Sequence, residues 1–338
     1  MVDKAPSQVT TQISVTQSNR IHGLDGLRGL AALSVVGFHA HTTFAAFPNW
    51  WAKGYLAVDF FMMLSGYVMA RTYESRMAEG PETVAFFKLR YRRLWLTMAI
   101  GSLLGVPYLW AMADDPLRFA GSLALNLALL PAPLNNELFP LNGPAWSIFF
   151  ELLANVLHAA LLWRLSDRVL LALAAMLLAL LAAFTRIKGD IDFGALAPHL
   201  GPAVVRSLAA YTCGILLWRY WRDEPPVMVP PLLPFIALPL LMLAPLAALG
   251  WGYDIAFIAL ACPLLIAGGL RLEGAARWAA WSGALSFPLY AVHVPVLRAA
   301  ALAGIGAIAA ALLAVLAGIA LAWWLSHRQQ RAKRMANT

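Results

Sequence analysis

Apolar runs of about 20 residues, the length that crosses a bilayer, recur throughout the chain. They lie near 25–46, 54–72, 93–112, 144–163, 168–185, 203–221, 229–249, 254–270, 278–297 and 299–325. Short polar segments separate them, so the pattern predicts an all-α, polytopic membrane protein of about ten transmembrane helices. A further apolar stretch at 119–131 is too short to cross and runs into LLPAPLNNELFP. It reads as a short re-entrant or interfacial segment. Residues 1–20 are polar and rich in Ser, Thr and Gln, with no signal-peptide core, and read as a disordered cytoplasmic tail. That leaves one transmembrane domain over 21–326 and a basic cytoplasmic tail over 327–338.

Polar positions inside the apolar runs carry the candidate chemistry. A titratable group in hydrocarbon costs roughly 2.5 kcal/mol or more, so it normally has a task or a partner. LDGLRGLAALSVVGFHAHTTF, residues 24–44, holds Arg28 near its start and His39 eleven residues later. Eleven residues return a helix to within about 20° of the same face, roughly 16 Å further along. The two therefore share one stripe. WSIFFELLANVLH repeats the pattern with Ser147, Glu151, Asn155 and His158, and WSGALSFPLYAVH with Ser282, Ser286, Tyr290 and His293. Three striped helices predict a shared polar cavity rather than lipid-facing accidents.

Composition fits this reading: 61% of the residues are hydrophobic and 12% charged, with mean hydropathy +0.69. The formal net charge of +8 does not point to nucleic acid, because the basic residues sit in short loops between spans, where orientation signals belong. With the N-terminus inside, 18 Lys and Arg fall in inside segments, five in outside segments and two, Arg28 and Arg206, within spans. The bias places both termini in the cytoplasm of a multi-pass protein of the inner or plasma membrane. Cys213 and Cys262 sit in apolar runs without metal spacing and read as small buried hydrophobes.

Depth sorts the polar groups. Asp59, Glu151 and His39 lie about five to eight residues in from the outer boundary, roughly 7–12 Å deep at 1.5 Å per residue, with His293 slightly shallower. Two carboxylates and an imidazole at one level form a candidate proton-handling centre. The alternative is a network that merely fixes helix register. On the cytoplasmic side, FFKLRYRRLW sets Lys88, Arg90, Arg92 and Arg93 at the start of the third span. That cluster serves as a topology anchor, or as a site for a phosphorylated ligand, since guanidinium matches phosphate geometry. No metal-ligand spacing is present.

Taken in order, these segments resemble the acyltransferase 3 family of integral membrane acyltransferases. Arg28 and His39 match its first-span Arg-x10-His signature, and GYLAVDFFMMLSGYVMA its second-span motif through Asp59 and Ser65. Arg90 and Arg93 match its Arg-x-x-Arg segment, Trp146, Ser147 and Glu151 its Trp-Ser-x-x-x-Glu motif, and Ser286, Tyr290 and His293 its late Ser…Tyr-x-x-His segment. A proline that the family usually carries after the arginine pair is replaced by LWLT.

The resemblance implies transfer of an acyl group, often acetyl, from cytoplasmic acyl-CoA to a hydroxyl of a sugar or glycan at or beyond the membrane. It implies acyl-CoA as co-substrate with no permanently bound cofactor, catalytic roles for His39, Glu151 and Asp59, and acyl-CoA binding by Arg28, Arg90 and Arg93. Trp146, Ser147, Ser286, Tyr290 and His293 support the cavity. A transporter or flippase of an acylated or glycosylated lipid remains the rival reading. Acceptor identity, acyl length and oligomeric state are not legible, nor is the choice between direct transfer and an acyl-histidine relay.

Overall fold

The computed structural model describes residues 21–79, 83–133, 136–272 and 277–336. The N-terminal tail at 1–20 and the last two residues of the basic tail lie outside these. The described residues are helical, with one isolated bridge between Glu137 and Leu196 and no strand. In chain order the helices are α1 (His22–Thr43), α2 (Ala57–Glu79), α3 (Thr83–Leu104), α4 (Val106–Met112), α5 (Pro116–Leu127), α6 (Ala145–Ala160) and α7 (Asp167–Lys188). There follow α8 (Leu200–Trp221), α9 (Leu233–Leu240), α10 (Gly250–Ala256), α11 (Cys262–Leu270), α12 (Arg277–Leu302) and α13 (Ala307–Ala336).

Local sequence explains several boundaries. The Ser166 hydroxyl accepts the Val169 N–H at the start of α7, and Gly189 ends that helix in the left-handed region at φ 98°. Asp115 caps α5 through the Leu117 N–H, with Pro116 at the first helical position.

Five segments are long and apolar enough to cross a membrane: Asp167–Lys188, Ala197–Trp221, Ala244–Leu270, Arg277–Leu302 and Ala307–Ala332. α3 and α4, bent by 46°, make a sixth if they form one broken span. α1 and α2 have the length, at 22 and 23 residues, but carry the polar residues that dilute their apolarity. The stretch expected to span at 229–249 divides instead. α9 is eight residues long and contains Pro239, a 3-10 turn covers Ala244–Leu249, and a π-helical turn at Phe257–Ala261 links α10 to α11.

α5 turns back into the protein. Its C-terminal carbonyls are met from α3, where Trp95 Nε1 donates to Leu127 O at 2.8 Å and the Tyr91 hydroxyl to Ala128 O at 3.1 Å. The following loop then returns along α3 and α12, so that Asn142 Nδ2 reaches Ala291 O at 2.8 Å. Asn126, fully buried, is the hub: Nδ2 donates to Leu130 O and Leu138 O, and Oδ1 accepts from the Leu141 N–H.

Packing brings the striped helices together. α1 lies mainly against α12, α2 against α8, and α12 also against α3 and α13. At the α2–α8 crossing the backbones touch. A Cβ on Gly66 would sit 2.1 Å from Tyr211 O, and one on Gly214 1.9 Å from Met63 O, so only glycine fits at either position.

Candidate active site

The first half of the site gathers on α1, α2, α3 and α6. Arg90 Nη2 donates to Glu151 Oε1 at 2.9 Å, and the Ser65 hydroxyl donates to the same oxygen at 2.9 Å. Arg93 lies within electrostatic range of Arg90, Arg28 and Glu151. Arg90 and Arg93 thus gather about one carboxylate, with Arg28 within range of Arg93, at the α1 and α3 ends expected to lie in the cytoplasm. Arg90 is nearly buried, and its Nε–H, enclosed by protein, has no hydrogen-bond partner. A buried, unmet guanidinium donor beside a cationic cluster is the chemistry of an anion site.

The second half lies roughly 16 Å further along α1. His39 is half-buried and faces His293 of α12, which is fully buried. Their rings are 5.0 Å apart between centroids, and His293 Nε2 lies 3.1 Å from His39 Nδ1. His39 Nδ1 also sits 3.1 Å from Val35 O, and His293 Nδ1 2.7 Å from Tyr290 O. Arg298, one and a half turns beyond His293, is close enough for its charge to act on His39. It is itself held by Glu137 at 2.7 Å and Pro140 O at 3.2 Å on the return loop, with its guanidinium over the Tyr108 ring.

The other cavity residues form a polar seam. The Tyr290 and Ser147 hydroxyls lie 2.7 Å apart, both buried, and the Ser147 hydroxyl donates to Pro144 O at 3.1 Å. Ser286 donates to Gly283 O within its own helix. Trp146 lies under the Arg206 guanidinium at 5.5 Å.

The carboxylates expected beside His39 are placed elsewhere. Asp59 receives Arg206 Nε at 2.9 Å and Nη2 at 2.7 Å, while the same guanidinium donates to Phe193 O and Tyr55 O. Glu151 joins the arginine cluster. Among the described residues neither carboxylate hydrogen-bonds His39; His293 takes that position. Arg206 was visible in sequence as a charge inside a span, and a span arginine calls for a buried anion. Asp59 was the available one at similar depth. Two further buried networks were not legible as pairings, although His158 of the α6 stripe belongs to one of them. Lys53, Tyr55 and Asp254 bind one another near the start of α2, and Glu74, His158 and Arg219 link α2, α6 and α8. Among the described residues no group of three or more His, Cys, Asp or Glu is placed to hold a metal ion.

The chain resembles known proteins over most of its length. A family model described as an acyltransferase domain matches residues 21–327. "Protein 2 in picA locus" of Rhizobium radiobacter is 39% identical over 155 residues, covering 40% of this chain and 79% of that protein. "Putative membrane-bound transacylase BcsY" of Komagataeibacter xylinus is 33% identical over 120 residues, covering 35% of this chain and 28% of the relative. No solved structure matches the chain.

Proposed function

The chain belongs to the membrane acyltransferase family whose domain it matches over 21–327, and from that membership we propose its donor, its acceptor and the route between them. The donor is acyl-CoA, with acetyl as the acyl group, bound from the cytoplasm. The acceptor is a hydroxyl of a sugar or glycan at or beyond the outer face of the membrane. About ten transmembrane helices, with both termini cytoplasmic, enclose the path. This counts α1, α2 and α6 as spans shortened or diluted by the site they carry, and the chain over 229–243, around α9, as a broken tenth. The protein sits in the inner or plasma membrane.

One observation carries the reading. α1 presents a cationic cluster at one end and a half-buried imidazole roughly 16 Å away on the same stripe. The CoA phosphates bind at Arg28, Arg90 and Arg93, with Glu151 holding Arg90 in place. The pantetheine arm, a flexible chain ending in the thioester, runs along the stripe toward His39. There the imidazole deprotonates the acceptor hydroxyl or first takes the acyl group itself. The Tyr290 ring packs 5.5 Å from that of His293, and its hydroxyl, released from Ser147 and Pro144 O, is the donor assigned to the developing oxyanion. Asp59 serves through Arg206 by holding α2 on α8, not by touching the reacting atoms.

The decisive measurement is CoA release from acetyl-CoA by the purified, detergent-solubilised protein. Release is expected from the wild type and is lost in His39→Ala with the fold intact. A protein that only transports releases none, and a His39→Ala variant that still turns over removes His39 from the reaction.

A further inference from the structure

The geometry points to His293 as a positioning residue that fixes the proton of His39 on Nδ1, so that His39 Nε2 is the reacting atom. This rests on the acyl-transfer reading and adds to it the protonation state and the atom.

The assignment follows from what each nitrogen faces. A backbone carbonyl only accepts, so His293 Nδ1, 2.7 Å from Tyr290 O, carries a hydrogen. By the same rule His39 Nδ1, 3.1 Å from Val35 O, carries one. A neutral imidazole has a single N–H. His293 Nε2 is therefore bare and accepts from His39 Nδ1–H across 3.1 Å, a hydrogen shared with Val35 O. His39 Nε2 is bare as well. Two neutral rings satisfy all three contacts in only this arrangement. A proton placed on His293 Nε2 would aim one N–H at another.

The dyad can thus gain a proton at one atom only, His39 Nε2, and exposure agrees: His39 is half-buried, whereas His293 is sealed. When His39 becomes imidazolium, its Nδ1–H still points at the bare nitrogen of His293, which stabilises the charge as a hydrogen-bond acceptor. The groups acting electrostatically on His39 are the His293 ring and the Arg298 charge, both from α12. Arg298 opposes the imidazolium, which makes the acceptor at Nδ1 matter more. In direct transfer the acceptor oxygen bonds the thioester carbon as its proton moves to His39 Nε2. The carbon–sulfur bond then breaks, and the departing thiolate takes that proton to leave as CoA thiol. His293 keeps its own proton throughout.

The test compares His293→Gln, whose side-chain carbonyl can accept the Nδ1–H, with His293→Phe, which fills the space and accepts nothing. Acetyl-CoA turnover is followed as a function of pH, alongside thermal unfolding. The Phe variant is expected to lose roughly 100-fold or more in kcat with little change in KM for acetyl-CoA. Its acid limb moves to lower pH, because the imidazolium has lost one of its two acceptors and keeps only Val35 O. The Gln variant recovers most of the rate. Equal loss in both variants with an unmoved acid limb overturns the assignment and leaves His293 a packing residue. Nitrogen-15 spectra of the histidine rings in the intact wild-type protein read the tautomer directly. His39 protonated at Nε2 overturns the assignment whatever the activity. A wild type that releases no CoA but shows the Nδ1–H tautomer refutes the acyl-transfer reading and keeps the dyad.

Discussion

Two arginine–carboxylate pairs cross the interior of this protein, and they are built in opposite ways. Arg206 spends four hydrogen bonds on Asp59, Tyr55 O and Phe193 O, and a fifth contact on the face of Trp146. Both charged side chains are 1% exposed. Arg90 makes one bond to Glu151 and leaves its enclosed Nε–H unmet, and both side chains remain partly open, at 11% and 19%. A saturated buried pair has nothing left to offer a ligand. An unsaturated one that stays partly open does. Both pairs bury charge, and what sets them apart is hydrogen-bond completeness.

The largest expected effect breaks the saturated pair. Asp59→Asn strands the Arg206 charge in a dry interior, where removing one partner costs about 3–5 kcal/mol. The variant should melt early in detergent and accumulate poorly in the membrane. Asp59→Leu combined with Arg206→Met removes both charges and should recover part of the loss. Recovery stays partial because Phe193 O then lacks its side-chain donor and Tyr55 O keeps only backbone donors. An Asp59→Asn protein that is as stable as wild type but inactive would move Asp59 into the reaction and end the comparison.

Next comes the unsaturated pair. Glu151→Gln keeps an acceptor for Ser65 and Arg90 but removes the charge that holds the guanidinium. kcat/KM for acetyl-CoA should fall about 10–100-fold, equivalent to about 1.4–2.7 kcal/mol of transition-state stabilisation. The melting temperature should fall less than in Asp59→Asn, since glutamine keeps both hydrogen bonds and the pair is less sealed than Arg206–Asp59. A large drop in melting temperature would show that Glu151 belongs with Asp59.

A saturated network without charge gives a third point. Asn126→Ala leaves Leu130 O, Leu138 O and the Leu141 N–H short of partners beneath the α5 turn. The expected cost is about 1–3 kcal/mol. Faster amide exchange should be confined to the return loop and the end of α5, with CoA release reduced less than in Glu151→Gln.

Sequence alone carried the helical class, the polar stripes and the separation of cationic and imidazole ends along α1, because these depend on one helix at a time. It also read 119–131 as a short re-entrant or interfacial segment; α5 is 12 residues long, and its last carbonyls are held by Tyr91 and Trp95. Pairings between helices were beyond its reach. His39 and His293 are 254 residues apart, and periodicity says which face a residue occupies but not which face it meets. Depth counting set Asp59, Glu151 and His39 at one level. It could not show that Arg206 reaches Asp59 across the α2–α8 contact, where Gly66 and Gly214 let the backbones touch. The split of 229–249 into α9 and a 3-10 turn was masked because its prolines are themselves apolar and leave a hydropathy pattern unbroken.

The smallest effect tests whether the unmet donor is the point of the Arg90 pair. Arg90→Lys keeps the charge and the reach to Glu151 but has no Nε–H in the plane of a fork. If Arg90 merely anchors α3 to α6, the lysine suffices, and KM for acetyl-CoA stays at the wild-type value. If the unmet N–H binds a donor phosphate, KM should rise about tenfold, the loss of roughly one charge-assisted hydrogen bond of about 1.4 kcal/mol. kcat at saturating acetyl-CoA should hold, because the reacting imidazole lies roughly 16 Å away. A matching lysine at Arg206 should behave otherwise. It cannot serve Asp59, Tyr55 O and Phe193 O from one ammonium in the geometry of the fork, so it should weaken the fold. The same exchange would then change affinity in one pair and stability in the other.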